Sequence, residues 1–356
     1  MSCHQGKGNQ EVLAAIAAIT GQTLTDADAA FHEAKRVQPD KHHATTEEVL
    51  AAIGRIKTRL GLAPAVGLAQ AADLGDALVA LARDETVTIT KSDLIAWDQM
   101  LRHMPENIPV IEREPVAIPP LPDHQTQMWR TVLGIETLGH PWVLVGGQMT
   151  MLHCLENGVP FTRPTDDGDV LVGVWTRRDA LDKTTRFLRE RGFEEVKTND
   201  GYGYRYKRGE KTVIDILLPE GLDRQRQYPT TTSGRPGFSA EGGNQALARA
   251  ERVPVTIAGA AGYVRRPTIL GSIVVKAHAW RTDSRDGDRH AQDIVTLARI
   301  GLKDPRRALE GARPADRKAA RVFLRNKTAD HVYFRSAGDE REAVFAFLAR
   351  LATPEN

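Results

Sequence analysis

Three aspartates carry the strongest chemical signal in this sequence. Asp167 and Asp169 lie two residues apart in TRPTDDGDVLVGV, at the entrance to a β-branched run that predicts a strand. Because side chains alternate along a strand, both carboxylates are expected on one face. A divalent cation that prefers hard oxygen ligands, Mg²⁺ or Mn²⁺, would relieve their repulsion. The pattern indicates either such a metal site or an acidic turn, which Asp166 would fit.

The third aspartate, Asp215, lies between Ile214 and Ile216 in KTVIDILLPE. A carboxylate inside an apolar strand is costly unless it is paired or coordinates a cation. If its strand lies beside that of Asp167, Asp215 becomes a third metal ligand. The alternative is a carboxylate satisfied by an arginine or by backbone donors.

A glycine pair is the next candidate. Gly146 and Gly147 follow the apolar run WVLV and open a predicted helix, QMTMLHCLENG. Glycine lets a backbone approach a ligand closely, and a helix N-terminus offers amides to an anion. The pair predicts a phosphate site or simply a tight strand-to-helix turn.

Hydrophobic periodicity predicts the elements that must position these residues. Residues 1–117 are predicted to be mainly helical, and six prolines between residues 105 and 122 indicate an extended linker and a boundary near residue 118. Beyond it, strands and helices mix, and YGYRYKRGEKTVIDILL predicts a hairpin turning at Gly209-Glu210. Residues 221–245 are predicted to form a long loop, and the chain is predicted to be helical after about residue 268.

Together, the glycine pair, the Asp-x-Asp motif and the later aspartate match the nucleotidyltransferase superfamily built around a DNA polymerase β-like palm. Within it, residues 125–300 resemble the AbiEii-type nucleotidyltransferase toxins of bacterial toxin–antitoxin systems. The family pattern R-x-T-x-D-x-D is met by Arg163, Thr165, Asp167 and Asp169. Lys276 in ILGSIVVKAHAW and Asp293 in DRHAQDIVTL match two further motifs, and His290 stands where many relatives carry aspartate.

The resemblance implies an α+β fold with a mixed sheet flanked by helices. Residues 118–265 would be the nucleotidyltransferase core, and residues 266–356 a basic helical region that completes the active site. Residues 1–117 have no counterpart in the family; they are expected either to bind substrate or to act as an inhibitor in cis, and a separate cognate antitoxin is the other expected partner.

The resemblance also implies the activity: transfer of a nucleoside monophosphate from an NTP, with Mg²⁺ or Mn²⁺, to the tRNA 3′ end. The alternatives are a protein or small-molecule acceptor, such as an aminoglycoside, and a non-catalytic binding module. The implied catalytic residues are Asp167, Asp169, Asp215, Lys276 and Asp293, the first three as metal ligands. The implied nucleotide-binding residues are Gly146, Gly147, Arg163, Thr165 and Lys276.

Charge is distributed unevenly. The net charge is only +2, but residues 299–327 contain ten basic and three acidic side chains. Arg317, Arg321 and Arg325 recur every four residues on a predicted helix. This stripe predicts either contact with an RNA backbone or an ordinary solvated helix face.

Composition and local patterns argue against a disordered, a membrane-spanning and a disulfide-stabilised protein. Hydrophobic residues make up 41% and charged residues 26%, which is typical of globular chains. We find no signal-peptide pattern and no apolar run long enough to span a membrane, and two cysteines, Cys3 and Cys154, cannot form a disulfide framework. These features predict a reduced cytoplasmic protein.

Overall fold

The structure is a computed structural model that describes residues 108–161, 165–174, 179–222, 228–283 and 287–353. The helices predicted before residue 108 lie outside these residues, and the division into three domains stays a prediction. Apart from Asp179, the described residues belong to one compact unit.

The described unit is α+β, as predicted, and is built from nine strands and nine α-helices in the described ranges. The strands are β1 Val116–Ala117, β2 Trp142–Val145, β3 Asp167–Val172, β4 Glu194–Glu195, β5 Arg205–Arg208, β6 Thr212–Pro219, β7 Phe238–Ala240, β8 Ala250–Ile257 and β9 Ala260–Pro267. The helices are α1 Asp123–Ile135, α2 Gly146–Asn157, α3 Ala180–Glu190, α4 Gly243–Ala248, α5 Ile269–Thr282, α6 Gly287–Gly301, α7 Pro305–Leu309, α8 Pro314–Leu324 and α9 Arg341–Ala352. Two 3-10 helices, Glu136–Leu138 and Val332–Glu340, follow α1 and precede α9.

A six-stranded mixed sheet holds the predicted site. Its strand order is β2-β3-β6-β5-β4, and β7 pairs with the last residues of β6. β3 and β6 run parallel, whereas β2 and β5 run antiparallel to their neighbours. The predicted hairpin is confirmed, because β5 and β6 pair around Gly209, whose φ of 61° suits glycine.

A smaller sheet with the order β1-β8-β9 packs beside the larger one. The β8–β9 hairpin was not predicted from the sequence. The proline-rich segment before α1 lies along it: Ile111 N donates to Arg252 O at 2.9 Å, and β1 runs parallel to β8.

The helical region after β9 begins as predicted. Thr268 caps α5 by accepting a hydrogen bond from the amide of Gly271, and α5 is apolar enough to be buried against α6, α8 and α4. The predicted loop at residues 221–245 is partly wrong, because β7 and the start of α4 lie within it. Every helix among the described residues is too short or too polar to traverse a bilayer.

Candidate functional site

The three predicted carboxylates meet on one face of the six-stranded sheet. The parallel pairing of β3 and β6 puts Asp169 directly beside Asp215. Asp167 is two residues earlier on β3 and therefore on the same face. One carboxylate oxygen from each residue lies within 4.8 Å of the other two. The expectation that the strand of Asp215 neighbours that of Asp167 is confirmed.

The electrostatics of this cluster fit a divalent cation. Burial, followed by the charges of Asp167 and Asp215, raises the pKa of Asp169 to about 7. Burial also raises the pKa of Asp215, although its hydrogen-bonded arginine partner opposes the shift. Carboxylate oxygens are the ligands that Mg²⁺ and Mn²⁺ prefer. The cluster could therefore bind a metal ion.

Arg205 is a residue of the site that the sequence analysis missed. Its Nε donates to Asp215 Oδ1 at 2.9 Å, and a terminal nitrogen donates to Oδ2 at 2.6 Å. The alternative of an arginine partner for Asp215 is thus realised inside the carboxylate cluster. A signal was present, since a hairpin centred on residue 210 puts Arg205 opposite Asp215. A metal ion at the cluster would compete with Arg205 for the Asp215 oxygens.

Gly146 lies against the carboxylate of Asp169. Its φ is 68°, and a Cβ built on it would overlap the Asp169 side chain. The backbone can therefore approach the cluster only because this residue is glycine. Gly147, the next residue, is buried in the first turn of α2. The N-cap residue, Val145, makes no side-chain hydrogen bond to that turn, so the first amides of α2 have no side-chain cap.

Space for a side chain is also limited on the opposite side of the Asp-x-Asp motif. Gly168 lies between the two aspartates, and a Cβ on it would come within 2.6 Å of Met128 Sδ in α1. Glycine therefore lets α1 pack directly behind the strand that carries the carboxylates.

Lys276 and Asp293 form a buried ion pair between α5 and α6. Lys276 Nζ lies 2.7 Å from Asp293 Oδ2, and both side chains are at most 4% exposed. The charge of Lys276 lowers the pKa of Asp169, which places its ammonium group near the cluster. Asp293 therefore anchors Lys276. Contact between Lys276 and a triphosphate stays a prediction.

His290, the departure from the family pattern, also lies close to Lys276. Its Nε2 is 3.7 Å from Asp283 Oδ2. Burial and the charge of Lys276 lower the pKa of the imidazole, so the ring is expected to be neutral at pH 7.

An open cleft of about 340 Å³ adjoins Asp167, and it is lined by Thr165, Asp166, Asp167, Arg205, Lys207, Val213 and Arg289. The three cationic side chains favour an anionic ligand there. Asp166 is exposed and accepts a hydrogen bond from Gln125 at 2.6 Å, outside the metal cluster. Thr165 lies at the cleft wall, whereas Arg163 lies outside the described residues.

Only two of the three predicted stripe residues, Arg317 and Arg321, lie on α8, and both have a structural role. The prediction is wrong for Arg325, because α8 ends at Leu324 and the backbone of Arg325 is not helical. Arg317 is buried and donates to Thr353 O at 2.8 Å, while Arg321 donates to Ala352 O at 3.1 Å. Both therefore satisfy carbonyl groups at the C-terminal end of α9. Arg321 and Arg325 are exposed. Binding of nucleic acid by the stripe stays a prediction.

Comparison with known proteins adds little to this geometry. No known protein family matches the sequence, and no curated protein does. Among solved structures, the chain is similar to an antigenic nucleotidyltransferase-like protein from Paracoccidioides brasiliensis, with 19% identity and a TM-score of 0.35 over 58% of this chain and 91% of that one. The resemblance to AbiEii-type toxins therefore stays a prediction.

Proposed function

We propose that this chain is a metal-dependent nucleotidyltransferase that transfers a nucleoside monophosphate from an NTP to an acceptor hydroxyl. The observation that carries the proposal is the convergence of Asp167, Asp169 and Asp215 beside the uncapped N-terminus of α2. A carboxylate cluster next to an anion-binding helix end is suited to holding a polyphosphate through divalent cations.

Each part of the site has a role in this reaction. The oxygens of the three aspartates would hold two cations, which when bound stabilise charge on the attacking and leaving oxygens. The first amides of α2, from Gly146 and Gly147, would bind the phosphates that leave as pyrophosphate. The acceptor oxygen forms a bond to the α-phosphorus, the bond from that phosphorus to the bridging oxygen breaks, and the hydroxyl proton passes to solvent.

Lys276 would act as a fixed positive charge beside Asp169. Because Asp293 pairs with its ammonium group, its position is set before substrate binds. This arrangement gives electrostatic stabilisation without reorganisation during the reaction.

The proposed acceptor is the 3′ end of tRNA, in the manner of an AbiEii-type toxin. The motif resemblance and the basic residues 299–327 support this choice over a protein or an aminoglycoside. A non-catalytic binding module is disfavoured, because such a protein would have no need for three carboxylates held together against their repulsion.

The test is incubation of the full chain with Mg²⁺, total tRNA and each α-labelled NTP in turn. We expect label in tRNA, and we expect Asp169→Ala to reduce it by more than about 100-fold, as loss of a charge-stabilising group does in other enzymes. Asp330→Ala is the control, since Asp330 is exposed and lies outside both the carboxylate cluster and the cleft beside Asp167.

Equal labelling by the two variants would contradict the proposed site. Label on protein in place of tRNA would identify a protein acceptor. Failure to label tRNA, protein or an aminoglycoside with any NTP would contradict the proposed reaction.

A further inference from the structure

Three aromatic side chains form a half-open cluster near the carboxylates. Phe238 packs against Tyr202, with ring centroids 5.6 Å apart, and against Tyr204, with centroids 5.1 Å apart. Phe238 is nevertheless 38% exposed, which is unusual for a large apolar side chain among the described residues. A partly exposed aromatic ring suits stacking against a flat ligand.

Strand register places Phe238 on the carboxylate face of the sheet. Phe238 pairs with Leu217, which is two residues after Asp215 and so shares its face. The preceding residue confirms this orientation, since a Cβ on Gly237 would meet Leu218 and Leu181 on the opposite face. Strand geometry puts the α-carbons of Asp215 and Phe238 about 8 Å apart.

The order of strands separates this aromatic cluster from the phosphate-binding end of the site. Along the sheet the order is β2, β3, β6, β7, so the helix N-terminus that follows β2 lies on one side of the aspartates. Phe238 on β7 lies on the other side. In phosphoryl transfer the attacking and leaving oxygens are roughly in line through phosphorus. If pyrophosphate leaves towards Gly146, the attacking hydroxyl arrives from the side of Phe238.

We propose that Phe238, supported by Tyr202 and Tyr204, stacks on the terminal nucleobase of an RNA acceptor and so positions its 3′-terminal ribose beside Asp215. This inference rests on the nucleotidyl transfer proposed above, because the direction of the leaving group defines the acceptor side. It assigns the acceptor to the class of nucleic acids with an unpaired 3′-terminal nucleotide. Stacking of this kind tolerates any base, since every base has a π-face.

The test measures binding of a fluorescein-labelled heptanucleotide RNA to the full chain by anisotropy, without NTP. Phe238→Ala is expected to raise Kd roughly tenfold, the usual effect of losing one stacked base. Phe238→Trp is expected to preserve the affinity. Tyr263→Ala is the matched control, because Tyr263 is 37% exposed but lies on β9 of the other sheet.

A ligand-side control makes the test specific. The control ligand is the same RNA with an abasic 3′-terminal nucleotide. The wild type is expected to bind this RNA roughly tenfold more weakly than the intact RNA, whereas Phe238→Ala is expected to bind the two RNAs equally. Retained Mn²⁺ binding by Phe238→Ala will show that the site is still folded.

Unchanged RNA affinity in Phe238→Ala would overturn the inference, and so would the absence of RNA binding by the wild type. In a separate titration with NTP, a selective loss of NTP affinity in Phe238→Ala would also overturn it, since the aromatic cluster would then hold the base of the nucleotide. The binding assay contains no NTP, so the proposed reaction can fail while the RNA result stands.

Discussion

At the scale of single residues, the site is a set of charges whose pKa values and partners depend on one another. Asp169 has the most perturbed carboxylate, with a pKa of about 7 caused by burial and then by Asp167 and Asp215. Arg205 compensates part of the charge by holding both oxygens of Asp215. The carboxylates therefore repel one another in the absence of a cation, and a bound cation is expected to stabilise the cluster.

Asp169→Asn is expected to stabilise the metal-free protein at alkaline pH. The folded pKa of Asp169 is above the ordinary value of 3.8, so the folded state binds more protons than the unfolded chain between these pH values. The wild type therefore loses stability as pH rises towards 7, and the variant does not. We expect a gain in Tm of roughly 3–6 °C at pH 8 that disappears near pH 4. A gain that is equal at both pH values would show that another cause dominates.

Arg205→Gln is expected to destabilise the protein and to strengthen metal binding. Without the guanidinium, Asp215 is left in a site where its side chain is 8% exposed. Since Arg205 is itself 38% exposed, the loss is smaller than for a fully buried pair, about 1–2 kcal/mol in the free energy of unfolding. Urea denaturation would measure this loss, and calorimetry with Mn²⁺ would measure the gain in affinity. Weaker Mn²⁺ binding would show that Arg205 organises the metal ligands and does not compete for them.

At the scale of elements, the site depends on where α2 starts relative to β3. β2 pairs antiparallel with β3, and its last residue, Val145, lies opposite Asp169. The turn at Gly146 therefore brings the N-terminus of α2 onto the carboxylates. At the other end of α2, Gly158 also has a positive φ of 62°, but a Cβ there would have no neighbour within 4 Å.

This pair of glycines gives a matched comparison. Gly146→Ala and Gly158→Ala both introduce a Cβ at a left-handed position, costing roughly 1 kcal/mol of backbone strain. Only the Cβ at Gly146 displaces the Asp169 carboxylate. We expect Gly146→Ala to weaken Mn²⁺ binding at least roughly tenfold, the loss seen when groups that orient metal ligands are removed, and Gly158→Ala to leave it unchanged. Equal effects on Mn²⁺ binding would mean that helix stability, not the contact, governs the site.

At the scale of the whole molecule, two sheets and the C-terminal helices share one hydrophobic core. The segment before α1 belongs to that core, because Val116 is 5% exposed and Ile118 is 6% exposed beside β8. A truncated chain that keeps this core intact must therefore include β1 as well as α1.

We expect a chain of residues 108–356 to be more stable than one of residues 118–356. The shorter chain loses the pairing of β1 with β8 and the burial of Val116. Loss of one buried valine, at about 1.5–3 kcal/mol, corresponds to a fall in Tm of roughly 3–10 °C, which thermal denaturation would detect. Equal Tm values would show that the segment adds no stability. Comparing the nucleotidyltransferase activity of residues 108–356 with that of the full chain would then test whether the removed residues inhibit the reaction in cis.

Features that depend on local periodicity could be predicted without the structure. Alternation along a strand put Asp167 and Asp169 on one face. The position of the hairpin turn also implies that Arg205 lies opposite Asp215, although that pairing was not predicted. Helical spacing placed Arg317 and Arg321 on one side of α8. Glycine and threonine marked where α2 and α5 begin, because these backbone positions have strong local preferences.

Which of these faces meet depends on packing between segments that are distant in sequence. The parallel neighbours β3 and β6 are separated by α3 and by β4 and β5 in sequence, and only their pairing brings Asp215 to Asp169. The same holds for Lys276 with Asp293 and for Phe238 beside the carboxylate face. The spacing of Arg317 is typical of an exposed helix face, yet α9 packs against α8 and buries this side chain. The physical reason is that a local pattern fixes the direction of a side chain, whereas burial and charge depend on which distant segment packs against it.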